Sequence, residues 1–137
     1  LIQRRALEKY HTPGIWSNTA CSHPKNKESA ISCANRRLFE EMGIISRIIP
    51  VFSFLYKSSL SSTLIEHELD HVFIGFSNKK PNPNPKEVYD WKYVAKNSLI
   101  RLLNETPDAF SPWLKICYER AFQKAYALNS KELINIS

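Results

Sequence analysis

Glu28-Ser29-Ala30-Ile31-Ser32-Cys33-Ala34-Asn35-Arg36-Arg37-Leu38-Phe39-Glu40-Glu41-Met42-Gly43 is the stretch whose reading decides the fold. Ile31, Ala34 and Leu38 recur at helical spacing, which predicts a helix from Glu28 to Met42, and Gly43 supplies its stop. A second row, Cys33, Arg37 and Glu41, repeats every four residues on a neighbouring face.

After this helix, Pro50 to Lys57 and Leu64 to Phe76 are rich in β-branched and aromatic residues, which predicts two strands joined by the serine-rich loop Ser58 to Thr63. Pro81-Asn82-Pro83-Asn84-Pro85 suits neither a helix nor a central strand and is expected to be a loop. Val88 to Val94 alternates as a further strand. Asn97 or Ser98 is expected to cap a short helix ending at Asn104. Ser111-Pro112 then starts a last helix that runs to about Leu128, followed by a fraying tail over 129–137. Before the deciding helix, Leu1 to Tyr10 reads as the end of a strand entering a charged loop. His11-Thr12-Pro13-Gly14 is a turn, and Ile15 to Ala20 a short strand. The expected class is α+β, one domain over 1–128 with mixed strands and no internal repeat.

The chain has 137 residues, 43% of them hydrophobic, with seven Phe, six Tyr and three Trp, enough for one packed core; that excludes a disordered tail or a fibrous repeat. Ile44 to Tyr56, the longest apolar stretch, is broken by Arg47, Pro50 and Ser53 and cannot span a bilayer. Arg4, Arg5, Glu8 and Lys9 interrupt any signal-peptide core, and the absence of an initial Met gives the expectation of a cut or processed start with residues missing upstream. Lys and Arg outnumber Asp and Glu by 19 to 13, and the net charge of +6 favours anionic partners: phosphate esters, nucleic acid or an acidic membrane surface. Cys21, Cys33 and Cys117 are an odd number without short metal spacing, which reads as reduced thiols in a cytoplasm.

Two places carry side chains suited to chemistry. His67-Glu68-Leu69-Asp70-His71 matches the H-E-x-x-H pattern, but that pattern binds zinc only on a helix, and the run ends in the strand-like Val72-Phe73-Ile74-Gly75-Phe76. On a strand, Glu66, Glu68 and Asp70 share one face while His67 and His71 point to the other. Glu66 and Glu68 then form either a hard-metal or acid/base pair, or a solvated edge. Cys21 and His23, one residue apart in a loop or strand end, are candidate acid/base or ligand groups.

Four ordered motifs join these places. Gln3-Arg4-Arg5-Ala6-Leu7 leads to Pro13-Gly14-Ile15-Trp16-Ser17-Asn18-Thr19-Ala20-Cys21-Ser22-His23-Pro24; then come Glu28 with Arg36-Arg37-Leu38-Phe39-Glu40-Glu41-Met42-Gly43, Glu66-His67-Glu68, and Ala109-Phe110-Ser111-Pro112-Trp113. Together they resemble type I isopentenyl-diphosphate isomerases, a branch of the Nudix fold, over roughly Leu1 to Phe122. The resemblance implies an α/β/α sandwich around a mixed sheet. It implies that Cys21 and Glu68 are acid/base groups on opposite faces of the substrate alkene, with Tyr56 assisting the proton transfer. His23, Glu66 and Glu68 would bind a divalent metal, manganese or zinc, and Glu41 would help to hold a magnesium ion on the diphosphate. Arg5, Lys9 and Arg37 would face the diphosphate, and Trp113 the isoprenoid end. The implied partners are isopentenyl and dimethylallyl diphosphate, with no nucleic acid or membrane.

The chemistry agrees with that resemblance. Moving a double bond through a tertiary carbocation needs two positioned acid/base groups, a π face for the cation, cations for the diphosphate and exclusion of water. Members of the family carry two further histidine ligands in an N-terminal region. Neither His11 nor His67 replaces them, so the chain as given is expected to bind its metal weakly and to turn over little. Ser22 stands where Gly is frequent, and Asp70 adds a third acid that either burdens the site or faces solvent. The alternatives are a Nudix hydrolase of nucleoside diphosphates, weakened because Arg37 stands where the hydrolase helix carries its first Glu, and an inactive, diphosphate-binding relic of the fold.

Overall fold

In a computed structural model that describes residues 1–59, 63 and 65–136, and the side chains of these except 58, 66 and 130–136, the elements follow in the order β1 (Ile2–Arg5), β2 (Trp16–Asn18), α1 (Ala30–Met42), β3 (Ile48–Ser59), β4 (Ile65–Gly75), β5 (Val88–Lys92), α2 (Lys96–Glu105), a 3-10 turn at Pro107–Ala109, and α3 (Pro112–Ile136). β1 is the middle strand of an antiparallel sheet in the order β2-β1-β5, and β3 and β4 form a long antiparallel hairpin. Among the described residues the parallel component is a single bridge, Trp16 to Phe110.

Neighbouring residues at the start of β1 enter different cores. Ile2 joins Leu99, Leu103, Phe110 and Leu114 from α2 and α3, while Leu1 packs on Met42, Ile44 and Val88 beside α1. Side chains alternate across a strand, so helices cover both faces of this sheet, as the sandwich requires. α3 also packs against the β3–β4 hairpin.

Local chemistry explains how α1 begins and ends. Ser29 caps it, its hydroxyl accepting the Ser32 N–H at 3.2 Å. Gly43 closes it in the left-handed region at φ 65°, where a Cβ would lie 2.6 Å from the Asn82 carbonyl oxygen. The Pro81–Pro85 loop is what approaches so closely. Proline has no N–H to give, so only Asn82 and Asn84 can donate there, and both do: to the Met42 carbonyl at 2.8 Å and the Glu41 carbonyl at 3.0 Å. The alternation of Pro and Asn thus places two donors against the two last open carbonyls of the helix.

Three boundaries and one face depart from the sequence-based expectation. α1 buries Cys33, Glu41 and Met42, whereas Ile31 is 40% exposed. The polar row also faces inward, with Glu41 beside Arg37, Lys9, Glu87 and Arg5, while of the apolar row Leu38 packs on Met42, Ile44 and Val88 and Ile31 stays outside. α2 begins after Ala95, with no side-chain cap. Packing of Val94 and Leu99 into the core sets its first turn instead of a cap at Asn97 or Ser98. β3 reaches Ser59, two residues into the expected loop Ser58 to Thr63; positions 60–62 of that loop, and 64, the expected first residue of the next strand, lie outside the described residues. α3 continues past Leu128 to Ile136, where no Gly or Pro interrupts the chain and Lys131, Glu132 and Leu133 favour a helix.

Candidate active site

Arg5 lies on β1 at an irregularity in the register with β5, which shifts between Arg4 and Arg5 and turns the side chain inward. Its guanidinium is almost fully buried. Nε and Nη2 donate to the His11 carbonyl at 3.2 and 3.0 Å, and Nη1 donates to Cys21 Sγ at 3.7 Å. The chain leading into Cys21 is tied to β1 at Thr19: Gln3 Nε2 donates to the Thr19 carbonyl at 2.7 Å, and the Thr19 hydroxyl to the Leu1 carbonyl at 2.6 Å. Burial pushes the Cys21 thiol up to about 12, with Glu41 and Asp70 adding to the rise and Arg5 and Lys9 opposing it. The sulfur is therefore a protonated thiol at neutral pH.

Among the described residues Glu41 is the most buried acid, with no exposed surface. Neither carboxylate oxygen receives a hydrogen bond, and the nearest cation, Arg37 Nη2, is 3.5 Å away. Burial raises its carboxyl above the ordinary range and outweighs the opposing pull of Arg37, Lys9 and Arg5. Lys9 and Arg37 meet at one further carboxylate, Glu87, which takes a short hydrogen bond from Lys9 and an ion pair from Arg37 Nη2 at 3.1 Å. Arg37 Nη1 also donates to Glu40 at 2.7 Å, and its Nε is buried without a hydrogen-bond partner. Burial pushes the Glu87 carboxyl up, but the Lys9 hydrogen bond and the two positive charges outweigh it and hold it below the usual range.

The inner face of the hairpin supplies the other wall. Phe52, Phe54 and Tyr56 alternate inward along β3 with ring centroids 6.3 and 6.1 Å apart, and Tyr56 continues the row to Trp113 at 6.4 Å. Tyr56 stands opposite Glu68 and Phe54 opposite Asp70, so the aromatic row and the acids share a face. Trp113, in the first turn of α3, donates its indole N–H to Asn18 Oδ1 at 2.8 Å, stacks on His11, and has Arg5 5.9 Å from its ring centre. At the rim, His23 Nε2 and Glu68 Oε1 are 2.6 Å apart.

The NUDIX domain family profile matches residues 1–114. Isopentenyl-diphosphate Delta-isomerase 1 of Aromatoleum aromaticum is 49% identical over 88% of this chain and 68% of its own length; Isopentenyl-diphosphate Delta-isomerase 2 of the same organism is 46% identical over 88% and 64%. The Isopentenyl-diphosphate Delta-isomerase of Pectobacterium atrosepticum is 42% identical over 88% and 67%. The chain belongs to the NUDIX isopentenyl-diphosphate Delta-isomerase family. It spans about two thirds of the length of these relatives. The crystal structure of DR0079 from Deinococcus radiodurans shares the fold with a TM-score of 0.63, at 19% identity over 77% of this chain and 64% of that one.

Of the residues that the family resemblance singles out, the structure joins Arg5 to Cys21, Lys9 and Arg37 to each other through Glu87, Tyr56 to Trp113, and His23 to Glu68. The Glu66 side chain lies outside those described; its backbone pairs with Ser58. His67 and His71 are exposed on the opposite face of β4, and His71 meets Ser53, so the H-E-x-x-H geometry is absent. Asp70 is half-buried and raises the thiols of both Cys21 and Cys117, so it faces inward, not solvent. Glu87 was not legible in the sequence: it follows a proline-rich loop, matches no motif, and lies 78 positions from Lys9.

The donor chemistry suits divalent cations unevenly. Glu41 presents two buried oxygens without hydrogen-bond donors, which is what a hard oxygen-seeking cation needs. His23 and Glu68 offer one nitrogen and one oxygen, a suitable start for a manganese or zinc site. Among the described residues no group of three or more His, Cys, Asp and Glu side chains meets. Among the described residues no helix is long and apolar enough to cross a membrane.

Proposed function

We propose that this chain interconverts isopentenyl and dimethylallyl diphosphate by protonating and deprotonating the alkene through a tertiary carbocation. The observation that carries the reading is a thiol kept protonated by burial within electrostatic reach of Asp70, on the strand face that pairs acids with an aromatic row. Cys21, as a thiol, holds a proton at Sγ for one end of the three-carbon unit. Glu68, steadied by His23, exchanges a proton at the other end, and the buried Tyr56 hydroxyl lies opposite it in register to relay that proton. Reversal of the same two transfers runs the reaction the other way. Trp113 offers a π face to the developing cation, while the apolar row from Phe52 to Tyr56 excludes water that would capture it.

Lys9 and Arg37 bind the diphosphate, with Arg5 between phosphate and thiol. Glu41 would hold magnesium, and His23 and Glu68, with Glu66 as the family resemblance implies, would hold manganese or zinc. A divalent cation neutralises diphosphate charge that two or three side-chain cations leave uncompensated. A hydrolase reading is weaker, because Arg37 occupies the position of the helix's first Glu and pairs with Glu40, Glu41 and Glu87. Three free cysteines fit a reducing compartment such as the cytoplasm.

The test is deuterium incorporation into isopentenyl diphosphate in heavy water, with the protein as the gene encodes it. Cys21→Ala and Glu68→Gln are each expected to lower the rate by about 10²–10⁴-fold, and His71→Ala to leave it within about 2-fold. Hydrolysis of a nucleoside diphosphate that survives Cys21→Ala, without any isomerisation, overturns the proposal.

A further inference from the structure

One amide ties the two walls of the site together. Asn18 ends β2, three residues before Cys21. Its Oδ1 accepts the Trp113 indole N–H at 2.8 Å and the Ser17 hydroxyl at 2.9 Å, and its Nδ2 donates to the Ala20 carbonyl at 2.8 Å. The orientation of this amide is dictated by its neighbours. An indole nitrogen can only donate and a carbonyl can only accept, so the flipped amide would lose both bonds. The Ala20 carbonyl belongs to the peptide that carries Cys21, so a single side chain sets the indole relative to the thiol's backbone.

We propose that Asn18 is a positioning residue that holds the Trp113 π face and the Cys21 backbone in one register about the reacting carbons. This rests on the isomerase reading above. The attraction of a ring for a cation depends on the cation lying over its face within about 6 Å. Stacking on His11 at 5.9 Å and contact with Tyr56 at 6.4 Å restrict where the ring lies. Neither contact distinguishes one in-plane rotation of the indole from another; the directional N–H bond to Asn18 does. Positive charge exists on the substrate only in transit, so a misaligned ring weakens the transition state and leaves ground-state binding nearly intact.

The experiment combines Asn18→Ala, Asn18→Asp, Trp113→Phe and the double variant Asn18→Ala/Trp113→Phe in the protein as the gene encodes it. Asn18→Ala is expected to lower kcat about 3–30-fold while KM stays within about 2-fold. In the Trp113→Phe background, where the N–H is already gone, the same change is expected to cost about 2-fold or less. Asn18→Asp keeps an acceptor for the indole but loses the donor to the Ala20 carbonyl, and is expected to recover only part of the kcat lost in Asn18→Ala. A second readout needs no turnover. The ¹⁵N-labelled indole N–H resonance of Trp113, identified by its loss in Trp113→Phe, is expected to move upfield and exchange faster with water in Asn18→Ala, and to hold its place in Asn18→Asp. Additive losses in the double variant, a KM that rises as kcat falls, or an indole resonance unmoved in Asn18→Ala overturns the proposal. Absence of isomerisation by the wild type refutes the isomerase reading instead, and the resonance still decides whether Asn18 anchors the indole.

Discussion

The Cys21 thiol is expected to be slow toward disulfides, with a rate that its charged neighbours tune in opposite directions. Burial raises it from 9.0 to about 12. At any pH below 9, three pKa units leave roughly 1,000-fold less thiolate than an ordinary cysteine has. The more basic thiolate is the better nucleophile, and a Brønsted coefficient of about 0.4–0.5 returns roughly 20-fold of that loss. The net expectation is a reaction with a small neutral disulfide, such as 2,2′-dithiodipyridine, about 50-fold slower than that of a free cysteine peptide at pH 7.5. The rate should still climb with pH beyond 9 instead of levelling there. Cys21 is only half-buried by surface, so access does not forbid the reaction, whereas Cys33 and Cys117 are buried. Peptide-resolved mass spectrometry separates the three.

Three substitutions at Asp70 and Arg5 then assign the cause. Asp70→Asn removes a negative charge that raises the thiol and is expected to speed the reaction about 2–5-fold. Arg5→Gln removes the positive charge that lowers it and is expected to slow the reaction by a similar factor, whereas Arg5→Lys leaves it nearly unchanged. A Cys21 that reacts at the free-thiol rate with a plateau near pH 9, or an Asp70→Asn variant that reacts more slowly, would refute the reasoning that Cys21 is held as a proton carrier.

Two further outcomes concern stability. Glu28 is held down to about 2, first by the hydrogen bond from Arg36 and then by that from the Lys25 N–H, against an ordinary 4.5. A carboxyl depressed by folding stabilises the protein above its unfolded value, and the contribution fades as pH falls from about 4.5 toward 2. Wild type is therefore expected to melt above Glu28→Gln at pH 6, with the two curves converging by about pH 2; a gap independent of pH would exclude the ion pair as its source. Magnesium at about 100 times its dissociation constant adds about 2.7 kcal/mol to a protein that binds it, about 10 °C in melting temperature at this size. Glu41→Gln is expected to lose most of that rise and to melt no lower than wild type in a chelator, because it removes a buried charge without hydrogen-bond donors. Equal magnesium shifts in both proteins would remove Glu41 from the cation site.

What the sequence by itself determined is local. The α1 helix and its Gly43 stop, the β3 and β4 strands, the proline loop and the Ser111-Pro112 helix start each follow from propensities and caps acting within a few residues. The alternation Phe52, Phe54, Tyr56 likewise dictates a shared face once a strand is granted. The strand reading of 65–75 also disposes of H-E-x-x-H, since alternation parts His67 from Glu68 whatever the rest of the chain does. The ordered motifs carried the family, and with it Cys21, His23, Glu68 and Trp113.

Tertiary structure alone decided which of these groups act on one another. The β1–β5 ladder brings Lys9 beside Glu87, 78 positions away, and no spacing rule links them. Ile31 is exposed while Glu41 is buried because the loop from Pro81 to Pro85 closes on the C-terminal end of α1, a fact absent from the helix's own periodicity. The Cys21 thiol rises to about 12 through desolvation, together with the charges of Glu41 on α1 and Asp70 on β4 and against those of Arg5 and Lys9. Propensity is a property of a few consecutive residues and is written along the chain. Desolvation and charge coupling depend on how much water is excluded and which groups lie within a few ångströms, and the chain specifies those only after it has folded.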